Sequence, residues 1–342
     1  MVTDEAIEMH LPRKGAPEVF QALVRKLAPP GPGEARVIVE AAGVAYADIV
    51  TRQGLYDLAP LPVTPGYDLV GRIAALGPGV QGFSVGQRVA AVTVSGSYVN
   101  QRNVDARWLV PAPEHVDAGA LVAAILNGLT AWQMLHRIAA PEPGEWVLVH
   151  GAAGGVGTLL LDLCKLAGVR AVGTASAGKL AVVTARGGAA LDHKAGDLPR
   201  RTRELTGGGV IAAFDHIGGS HLRRVTMPSL RPGGIGILYG GYNATRDGRL
   251  NPLAAVDLML NGRFASYRLF NRGQGVVGYS SPIWRDQRPA AYRRDLASVL
   301  ALVADGRLKP LVGATFPLKE AAAAHHALET RAVSGKIVLV AS

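Results

Sequence analysis

The sequence predicts an α/β fold, in which a doubly wound parallel sheet is joined to a smaller β-rich unit. Two observations carry this prediction. From about Leu121 onward, strand-like apolar runs alternate with helical patterns, as expected for βαβ units around a parallel sheet. The apolar run EWVLV is also followed at once by the glycine-rich stretch HGAAGGVG, which is typical of a strand that ends in a phosphate-binding turn.

Length and composition set the limits of the interpretation. The chain has 342 residues, 49% of them hydrophobic, which at about 150 residues per domain predicts two domains. The acidic start MVTDEAIEMH is unlike a secretory signal, and no uninterrupted apolar run reaches the length of about 18 residues that spans a bilayer. We therefore expect a cytoplasmic protein that does not bind membranes.

The formal net charge of +10 comes mostly from scattered arginines. Proteins that bind single-stranded nucleic acid interleave basic residues with aromatic ones, and this chain lacks that pattern. We interpret the charge as solvated surface and expect no nucleic-acid partner.

The elements follow in order along the chain. Before Leu121, short alternating runs such as ARVIVEAAGV and LVGRIAALG are interrupted by Pro and Gly, which predicts a compact β-rich unit. The runs WVLVHGA, RAVGTAS, AAFDHI, GIGILYG and GVVGYS predict the strands of the parallel sheet. A helix in YRRDLASVLALVADGRL then leads to the strand VGATFPL, the helix KEAAAAHHALETR and the strand KIVLVA, an ending that resembles the first region.

The glycine-rich turn has the spacing G-x-x-G-x-x-G. Such glycines allow a tight turn, close approach of a pyrophosphate and close packing of the following helix, whose N-terminus favours an anion. The predicted dinucleotide-binding residues of the turn are Gly151, Ala153, Gly154, Gly155, Val156 and Gly157.

The end of the second strand indicates which dinucleotide binds. An NAD site normally carries Asp or Glu about 20 residues after the turn, to accept hydrogen bonds from the ribose hydroxyls. This chain has Thr174, Ala175 and Ser176 there, followed by Lys179. A serine hydroxyl and a lysine ammonium suit a 2′-phosphate, so NADPH is favoured over NADH. The alternative is that Lys179 is an ordinary exposed lysine at a helix start.

From about Pro32 to its end, the chain resembles the zinc-free quinone oxidoreductase branch of the medium-chain dehydrogenase/reductase superfamily, and within it the synaptic vesicle VAT-1-like type. The matching segments are GVAYADIVTRQGLYD, LPVTPGYDLVGRIAALGPGV with VGQRV, NGLTAW, and VLVHGAAGGVG with GTAS. The resemblance implies a GroES-like catalytic domain formed by residues 1–122 and 303–342, and a Rossmann NADPH-binding domain formed by residues 123–302. It also implies a homodimer joined through the edge of the Rossmann sheet.

The same resemblance indicates that no metal takes part. Zinc alcohol dehydrogenases of this superfamily have Cys where this chain has Ala45, and His where it has Tyr67. The single cysteine, Cys164, is expected in a helix core. His325 and His326 are neighbours in a predicted helix, so they point in different directions, and we expect them at the surface or an interface.

The resemblance also implies which residues are candidates for catalysis. Tyr56 matches a position where enoyl reductases of the superfamily have a tyrosine implicated in proton donation, and it is the first candidate for stabilising charge on a substrate oxygen. The alternative is a tyrosine that only packs in a loop. Tyr46 stands where the family often has Asn, and its ring is expected to stack on a flat substrate. Asn127, in NGLTAW, matches a position close to the nicotinamide.

Further residues are expected to bind the cofactor. By resemblance, Thr130 lies close to the nicotinamide ribose, with a helix cap as the alternative role for both Asn127 and Thr130. Backbone groups around Gly240, at the end of the fifth strand, and from Val277 to Tyr279, in the sixth, are expected to meet the carboxamide.

Two more positions are expected near the cofactor phosphates. His193 stands where relatives often have a tyrosine near the adenosine phosphate, and it adds positive charge only when protonated. Lys336, in SGK, matches a position of the family close to the C-terminus that can approach the cofactor.

These residues favour an NADPH-dependent, zinc-independent oxidoreductase that transfers hydride to a quinone or an α,β-unsaturated carbonyl. The alternative is a nucleotide-sensing or partner-binding protein that keeps the fold with little turnover. The segment from Tyr242 to Gly275, which is expected to influence substrate choice, has helix propensity but no chemical signature.

Overall fold

The chain folds into two compact units. The first unit contains the residues up to Leu129, Arg249 and the residues from Pro282 onward; the second contains Thr130–Arg246 and Leu250–Ser281. The computed structural model describes residues 4–55, 58–242, 245–246, 249–261, 264, 266–330 and 333–341.

The N-terminal part of the first unit is mostly β-structure, as predicted. Its long strands coincide with the alternating runs that the sequence shows. In chain order the elements are β1 (Glu5–His10), β2 (Gln21–Lys26), β3 (Glu34–Val44), α1 (Tyr46–Arg52), β4 (Asp68–Leu76), β5 (Arg88–Val92), β6 (Gln101–Asp105), β7 (Val110–Pro111) and α2 (Ala118–Gln133).

The second unit contains a parallel six-stranded sheet with the order β10-β9-β8-β11-β12-β15. All five predicted strands are present, and the short β10 is the one that the sequence did not reveal. The elements are β8 (Trp146–His150), α3 (Gly155–Leu166), β9 (Arg170–Ala175), α4 (Leu180–Ala185), β10 (Ala189–Asp192), α5 (Leu198–Thr206), β11 (Val210–Asp215), α6 (Gly219–His221), α7 (Met227–Ser229), β12 (Leu230–Leu238), β13 (Thr245–Arg246), β14 (Arg249–Leu250), α8 (Pro252–Asn261), α9 (Ser266–Arg272) and β15 (Gly275–Gly278).

The C-terminal segment returns to the first unit. The strand β17 pairs antiparallel with β3, and β16 pairs parallel with β17. The result is a seven-stranded sheet of order β16-β17-β3-β4-β5-β7, with β6 also paired to β3. The similarity between the two chain ends that the sequence indicated is therefore a shared sheet. The last elements are α10 (Ser281–Gln287), α11 (Pro289–Ala304), β16 (Val312–Pro317), α12 (Ala321–Glu329) and β17 (Lys336–Val340).

The border between the units differs from the predicted one at residue 302. The helix α11 was assigned to the Rossmann domain, yet it belongs to the first unit. The Tyr292 hydroxyl accepts a hydrogen bond from the Val92 N–H at 3.0 Å and donates one to the Trp108 carbonyl at 2.9 Å. Since Tyr292 is fully buried, these bonds secure α11 to β5 and its surroundings.

The expectation that both adjacent histidines lie at the surface or an interface was wrong for one of them. His325 is completely buried in α12, with Nε2 3.1 Å from the Tyr98 hydroxyl and its ring edge-on to Phe20. Burial, together with the nearby positive charge of Arg52, lowers the pKa of His325 well below its usual value. His326 is exposed, because adjacent helical residues face different directions.

One helical stretch, Ala118–Ala139, is long and apolar enough to cross a membrane by length and composition. It comprises α2 and a π-helical continuation over Met134–Ala139. Most of this stretch is buried inside the fold, as in the core helix of a globular domain. Its apolar character is therefore explained by packing.

Candidate functional site

The glycine-rich turn connects β8 to α3 in the second unit. Gly151 adopts a left-handed conformation with φ of 65°, and its carbonyl accepts a hydrogen bond from the Gly154 N–H. A Cβ atom added to Gly157 would lie 2.4 Å from the Gly151 carbonyl oxygen. This loop therefore has two of the features for which glycines were expected, namely a tight turn and close packing of the following helix.

The turn presents the N-terminus of a twelve-residue helix. Gly154 is the N-cap of α3, and Gly155, Val156 and Gly157 form its first turn. The N–H groups at the start of a helix lie outside the internal hydrogen-bond ladder, and with the helix dipole they favour an anion. Ala153 is buried beside them. This end of α3 can therefore receive the phosphates of a dinucleotide.

The adjacent end of β9 carries the predicted 2′-phosphate determinants. Ser176 is exposed and precedes a short 3-10 helix, Ala177–Lys179, in which Lys179 is half-buried. The backbone N–H of His193 donates to the Ala175 carbonyl, which brings the exposed His193 side chain to the same edge. An acid that the sequence reasoning did not weigh, Asp192, ends β10 with Oδ1 3.9 Å from His193 Nδ1.

The predicted carboxamide-binding segments lie at the carboxyl ends of β12 and β15. The strand β12 ends at Leu238, two residues before Gly240, and Val277 lies in β15. Tyr279 follows β15 rather than ending it. Its backbone N–H donates to the Leu238 carbonyl, and its buried hydroxyl donates to Gln133 Oε1 at 2.9 Å. The carboxyl end of the parallel sheet therefore carries the turn residues, Ser176, Gly240 and Val277.

Two of the predicted catalytic residues, Tyr46 and Asn127, belong to the first unit. Tyr46 begins α1 and is half-buried. Asp48 fixes this helix start because its Oδ2 accepts the Ala45 N–H at 2.8 Å, and burial raises the pKa of Asp48 to about 6. Tyr56, the first candidate for oxyanion stabilisation, lies outside the described residues.

The helix α2 carries two more of the predicted residues. Asn127 is half-buried in the first unit, whereas Thr130 is buried and begins the second. The backbone N–H of Leu126, next to Asn127, donates to Asp68 Oδ2 at 3.0 Å. A buried carboxylate therefore contacts this helix one residue before Asn127.

Lys336 is buried at the start of β17. Its Nζ lies 3.5 Å from Asp68 Oδ2, and only 3% of the residue is exposed. A Cβ on Gly43 would collide with both side chains, so a glycine is required beside this pair. The resemblance implies that Lys336 can approach the cofactor; in the first unit its charge is directed towards Asp68.

The positions compared with zinc ligands cannot hold a metal in the usual way. Ala45 has no donor atom, Tyr67 is a buried phenol, and both lie in the first unit. Cys164 is buried in α3 as predicted, and burial raises the pKa of its thiol to about 12. Among the described residues, the one group of three with metal-ligand chemistry is His150, Asp215 and His221 in the second unit.

These three residues belong to a hydrogen-bonded network that sequence reasoning missed. His150 ends β8 and Asp215 ends β11, at the point where the strand order of the sheet reverses. Ligands of doubly wound sheets bind outside this point. His221 Nδ1 lies 3.0 Å from Asp215 Oδ2, and Thr226 Oγ1 contacts both Asp215 and His150. The one feature of the sequence that could have indicated this network is that His150 directly precedes Gly151, the first glycine of the turn.

Comparison with known proteins agrees with this architecture. Residues 31–114 match the alcohol dehydrogenase GroES-like domain, and residues 188–339 match a family described as zinc-binding dehydrogenase. The synaptic vesicle membrane protein VAT-1 homolog of Rattus norvegicus is 32% identical over 91% of this chain and 78% of its own length. A 2-haloacrylate reductase from Burkholderia is 31% identical over 96% of this chain and 97% of its own length.

A solved structure agrees with the family that these relatives indicate. The quinone oxidoreductase of Escherichia coli complexed with NADPH superimposes with a TM-score of 0.85 at 27% identity, covering 98% of this chain and 100% of the other. The chain belongs to the quinone oxidoreductase-like medium-chain dehydrogenases/reductases. In this quinone oxidoreductase-like protein the predicted fold class is confirmed: a Rossmann-type parallel sheet and a GroES-like domain.

Proposed function

We propose that this protein is an NADPH-dependent, zinc-independent reductase that transfers hydride to a quinone or an α,β-unsaturated carbonyl. The observation that carries the proposal is the chemistry at the carboxyl ends of the neighbouring strands β8 and β9. The helix N-terminus after Gly151 can receive a pyrophosphate. The end of β9 offers Ser176 and Lys179 where an NAD site would have a carboxylate.

The preference for NADPH over NADH is supported by the residues at the end of β9. The exposed Ser176 hydroxyl can donate to a 2′-phosphate oxygen, and the Lys179 ammonium supplies a charge of the right sign. The carboxylate of Asp192, at the end of β10, would repel a 2′-phosphate, but its Oδ1 already accepts the Lys194 N–H at 3.0 Å. NADPH is also the dinucleotide in the structure of the E. coli quinone oxidoreductase.

A bound NADPH would supply the hydride from its nicotinamide, and the protein would supply positioning and charge stabilisation. A quinone or enone that accepts hydride at carbon develops negative charge on its oxygen, which a hydrogen-bond donor stabilises. We assign this role to Tyr56 and the stacking of a flat substrate to Tyr46. Asn127 and Thr130 would hold the nicotinamide and its ribose, and backbone groups near Gly240 and Val277 the carboxamide.

The proposal that the reaction is independent of zinc rests on the side chains at the positions of the zinc ligands. Catalytic zinc needs three protein ligands of the Cys, His or carboxylate type. Ala45 and Tyr67 do not supply them, so no metal would polarise the substrate, and alcohol oxidation assisted by zinc is not expected.

We further propose that the protein forms a homodimer through the second unit. The strand β15 is an edge of the described sheet. The helices α8 and α9, which precede β15 in the chain, expose large apolar side chains, namely Leu253, Val256, Met259, Leu260, Tyr267 and Phe270. Exposed apolar side chains and an unpaired sheet edge both favour association with a second copy.

A panel of acceptors tests the proposed function. Oxidation of NADPH, followed by its absorbance, is measured with quinones, enones, enoyl thioesters and a 2-haloacrylate. We expect turnover with at least one quinone or conjugated carbonyl and little with saturated ketones, which cannot delocalise the charge. Tight NADPH binding without turnover in the whole panel would replace the reductase with the nucleotide-sensing, partner-binding alternative.

A further inference from the structure

A continuous buried network links the ends of three strands in the second unit. The imidazole of His150 bridges two hydroxyl groups: Nδ1 lies 3.2 Å from Thr174 Oγ1, and Nε2 lies 3.2 Å from Thr226 Oγ1. Thr226 is in turn 2.5 Å from Asp215 Oδ2. His150, Thr174, Asp215 and Thr226 are all at most 3% exposed. Water therefore does not compete for these bonds.

The direction of each hydrogen bond follows from the number of available protons. Asp215 is an ionised acceptor, so the single hydroxyl proton of Thr226 is donated to it. Thr226 Oγ1 must then accept from His150, which places the ring proton on Nε2. The remaining lone pair on Nδ1 accepts the hydroxyl proton of Thr174. Every proton in the chain from Thr174 to Asp215 thus points towards the carboxylate.

The ionisation states agree with this direction. Burial opposes ionisation of Asp215, but hydrogen bonds from His221 and Thr226 and the neighbouring histidines together keep its pKa below the usual range. Burial lowers the pKa of His150 to about 3, so its imidazole is neutral. An Nε2–H tautomer has no lone pair to offer a metal on the side that faces Asp215. The ligand-like group of His150, Asp215 and His221 is therefore explained by hydrogen bonds.

The network holds the backbone that surrounds the glycine-rich turn. The Thr174 carbonyl accepts the N–H of Ala152, inside that turn, at 2.9 Å. Asp215 Oδ1 accepts the N–H groups of Ile217 and Gly218, which shapes the loop after β11. His216 in that loop lies against Gly151, since a Cβ there would be 2.5 Å from the His216 ring. The network thus ties both flanks of the turn to one core carboxylate.

We propose that Thr226 and His150 are positioning residues for the dinucleotide: their directed hydrogen bonds hold the phosphate-binding turn and the loop after β11 in the shape that binds NADPH. This inference rests on the proposed function, because it concerns the same cofactor.

Three variants of the full chain test the proposal. Thr226→Val keeps the side-chain shape and removes the hydroxyl, whereas Thr226→Ser keeps the hydroxyl. Ser229→Ala is the matched control, because Ser229 is equally buried in the same helical segment but its hydroxyl donates only to the Val225 carbonyl. NADPH dissociation constants are measured by fluorescence titration and melting temperatures in parallel. We expect binding about three- to ten-fold weaker for Thr226→Val, as for one lost buried hydrogen bond, and near wild type for the other two.

A spectroscopic measurement tests the tautomer without the cofactor. Long-range ¹H–¹⁵N correlation spectra distinguish protonated from unprotonated ring nitrogens, and His150→Asn assigns the signals of His150. We expect a neutral ring protonated on Nε2.

The results that would overturn the proposal are specific. Thr226→Val and Ser229→Ala with equal losses of melting temperature and unchanged NADPH affinity would mean that the network only stabilises the fold. A ring protonated on Nδ1 would reverse the hydrogen-bond directions and overturn the proposal. Uptake of one equivalent of Zn²⁺ that His221→Ala abolishes would also overturn it, because the cluster would then be a metal site. Failure of the wild type to bind NADPH would instead contradict the proposed function, and the tautomer measurement would still test the network.

Discussion

Thr226 donates its hydroxyl proton to the buried carboxylate of Asp215 at 2.5 Å. Because that proton is committed, the neighbouring His150 can only donate from Nε2. A neutral histidine thus lies beneath the glycine-rich turn at the reversal point of the sheet. Its neutrality has consequences for stability, which can be measured apart from any activity.

Acid should destabilise the protein through His150. Burial first, and then the neighbouring His221 and His216, lower the pKa of His150 to about 3, against the opposing charge of Asp215. The unfolded histidine, with a pKa of about 6.5, takes up a proton as the pH falls, and the folded one does not. The stability that neutral His150 provides is complete above about pH 6.5. By pH 5.5 about 1.4 kcal/mol of it is lost.

The comparison with His150→Asn isolates this contribution. Urea unfolding at pH 7.5 and 5.5 should show that the variant loses about 1.4 kcal/mol less than the wild type over this interval. The raised pKa of Asp48 acts in the opposite direction, but equally in both proteins. An identical loss in both would mean that His150 is already protonated in the fold.

Lys179→Ala should discriminate between the two dinucleotides. Loss of one charge-assisted contact with the 2′-phosphate should weaken NADPH binding by about 1 to 3 kcal/mol and leave NADH binding nearly unchanged. Lys165→Ala, which removes an exposed lysine from the far end of α3, is the control and should affect neither. Equal losses for both cofactors in calorimetric titrations would remove Lys179 from the 2′-phosphate site.

The purified protein should contain no stoichiometric zinc and should keep its activity in chelator. The reason is the donor set, since Ala45 and Tyr67 replace two ligands of the zinc-dependent enzymes. Elemental analysis before and after chelation provides the measurement. About one zinc per chain, with activity lost on its removal, would contradict zinc-independent catalysis.

Tyr56→Phe should lower turnover by about 10- to 1000-fold, since removal of one well-aimed donor to a developing oxyanion typically costs that much. NADPH affinity should be unchanged, because the ring is retained. A quinone should be affected less than an enone, as its reduced product is aromatic. Steady-state assays with both acceptors measure this difference. Equal rates for variant and wild type would make Tyr56 a packing residue and leave catalysis to positioning alone.

Phe270→Glu should weaken self-association. Phe270 is 83% exposed on α9, the helix that follows α8 in the chain, and a carboxylate buried in an interface would be costly. Sedimentation velocity over a range of concentrations measures the association. Val85→Glu, at an exposed apolar position of the first unit, is the matched control and should leave it intact. A monomeric wild type, or a variant that associates normally, would contradict a dimer formed through this surface.

The glycine-rich turn and the longer strands are the features that the sequence by itself predicted best, because they depend on residues close together in the chain. Gly157 has no space for a Cβ because the backbone of Gly151 and Ala152 lies against it, and Gly151 adopts a φ of 65°, a conformation that favours glycine. Such requirements involve residues a few positions apart, so the spacing of the glycines predicts them. Alternating and continuous apolar runs predicted the strands of both sheets for the same reason, and β10 escaped because its four residues carry too little pattern.

The tertiary structure alone decided which side chains meet. Lys336 lies beside Asp68, 268 positions away, and His150 contacts Thr226, 76 positions away. It also decided that His325 is buried, whereas the adjacent His326 is exposed, and that α11 joins the first unit through Tyr292. Periodicity shows that a face is apolar but not what covers it. Hydrogen-bond partners of buried polar groups depend on how the strands are ordered, and that order follows from the packing of the whole chain.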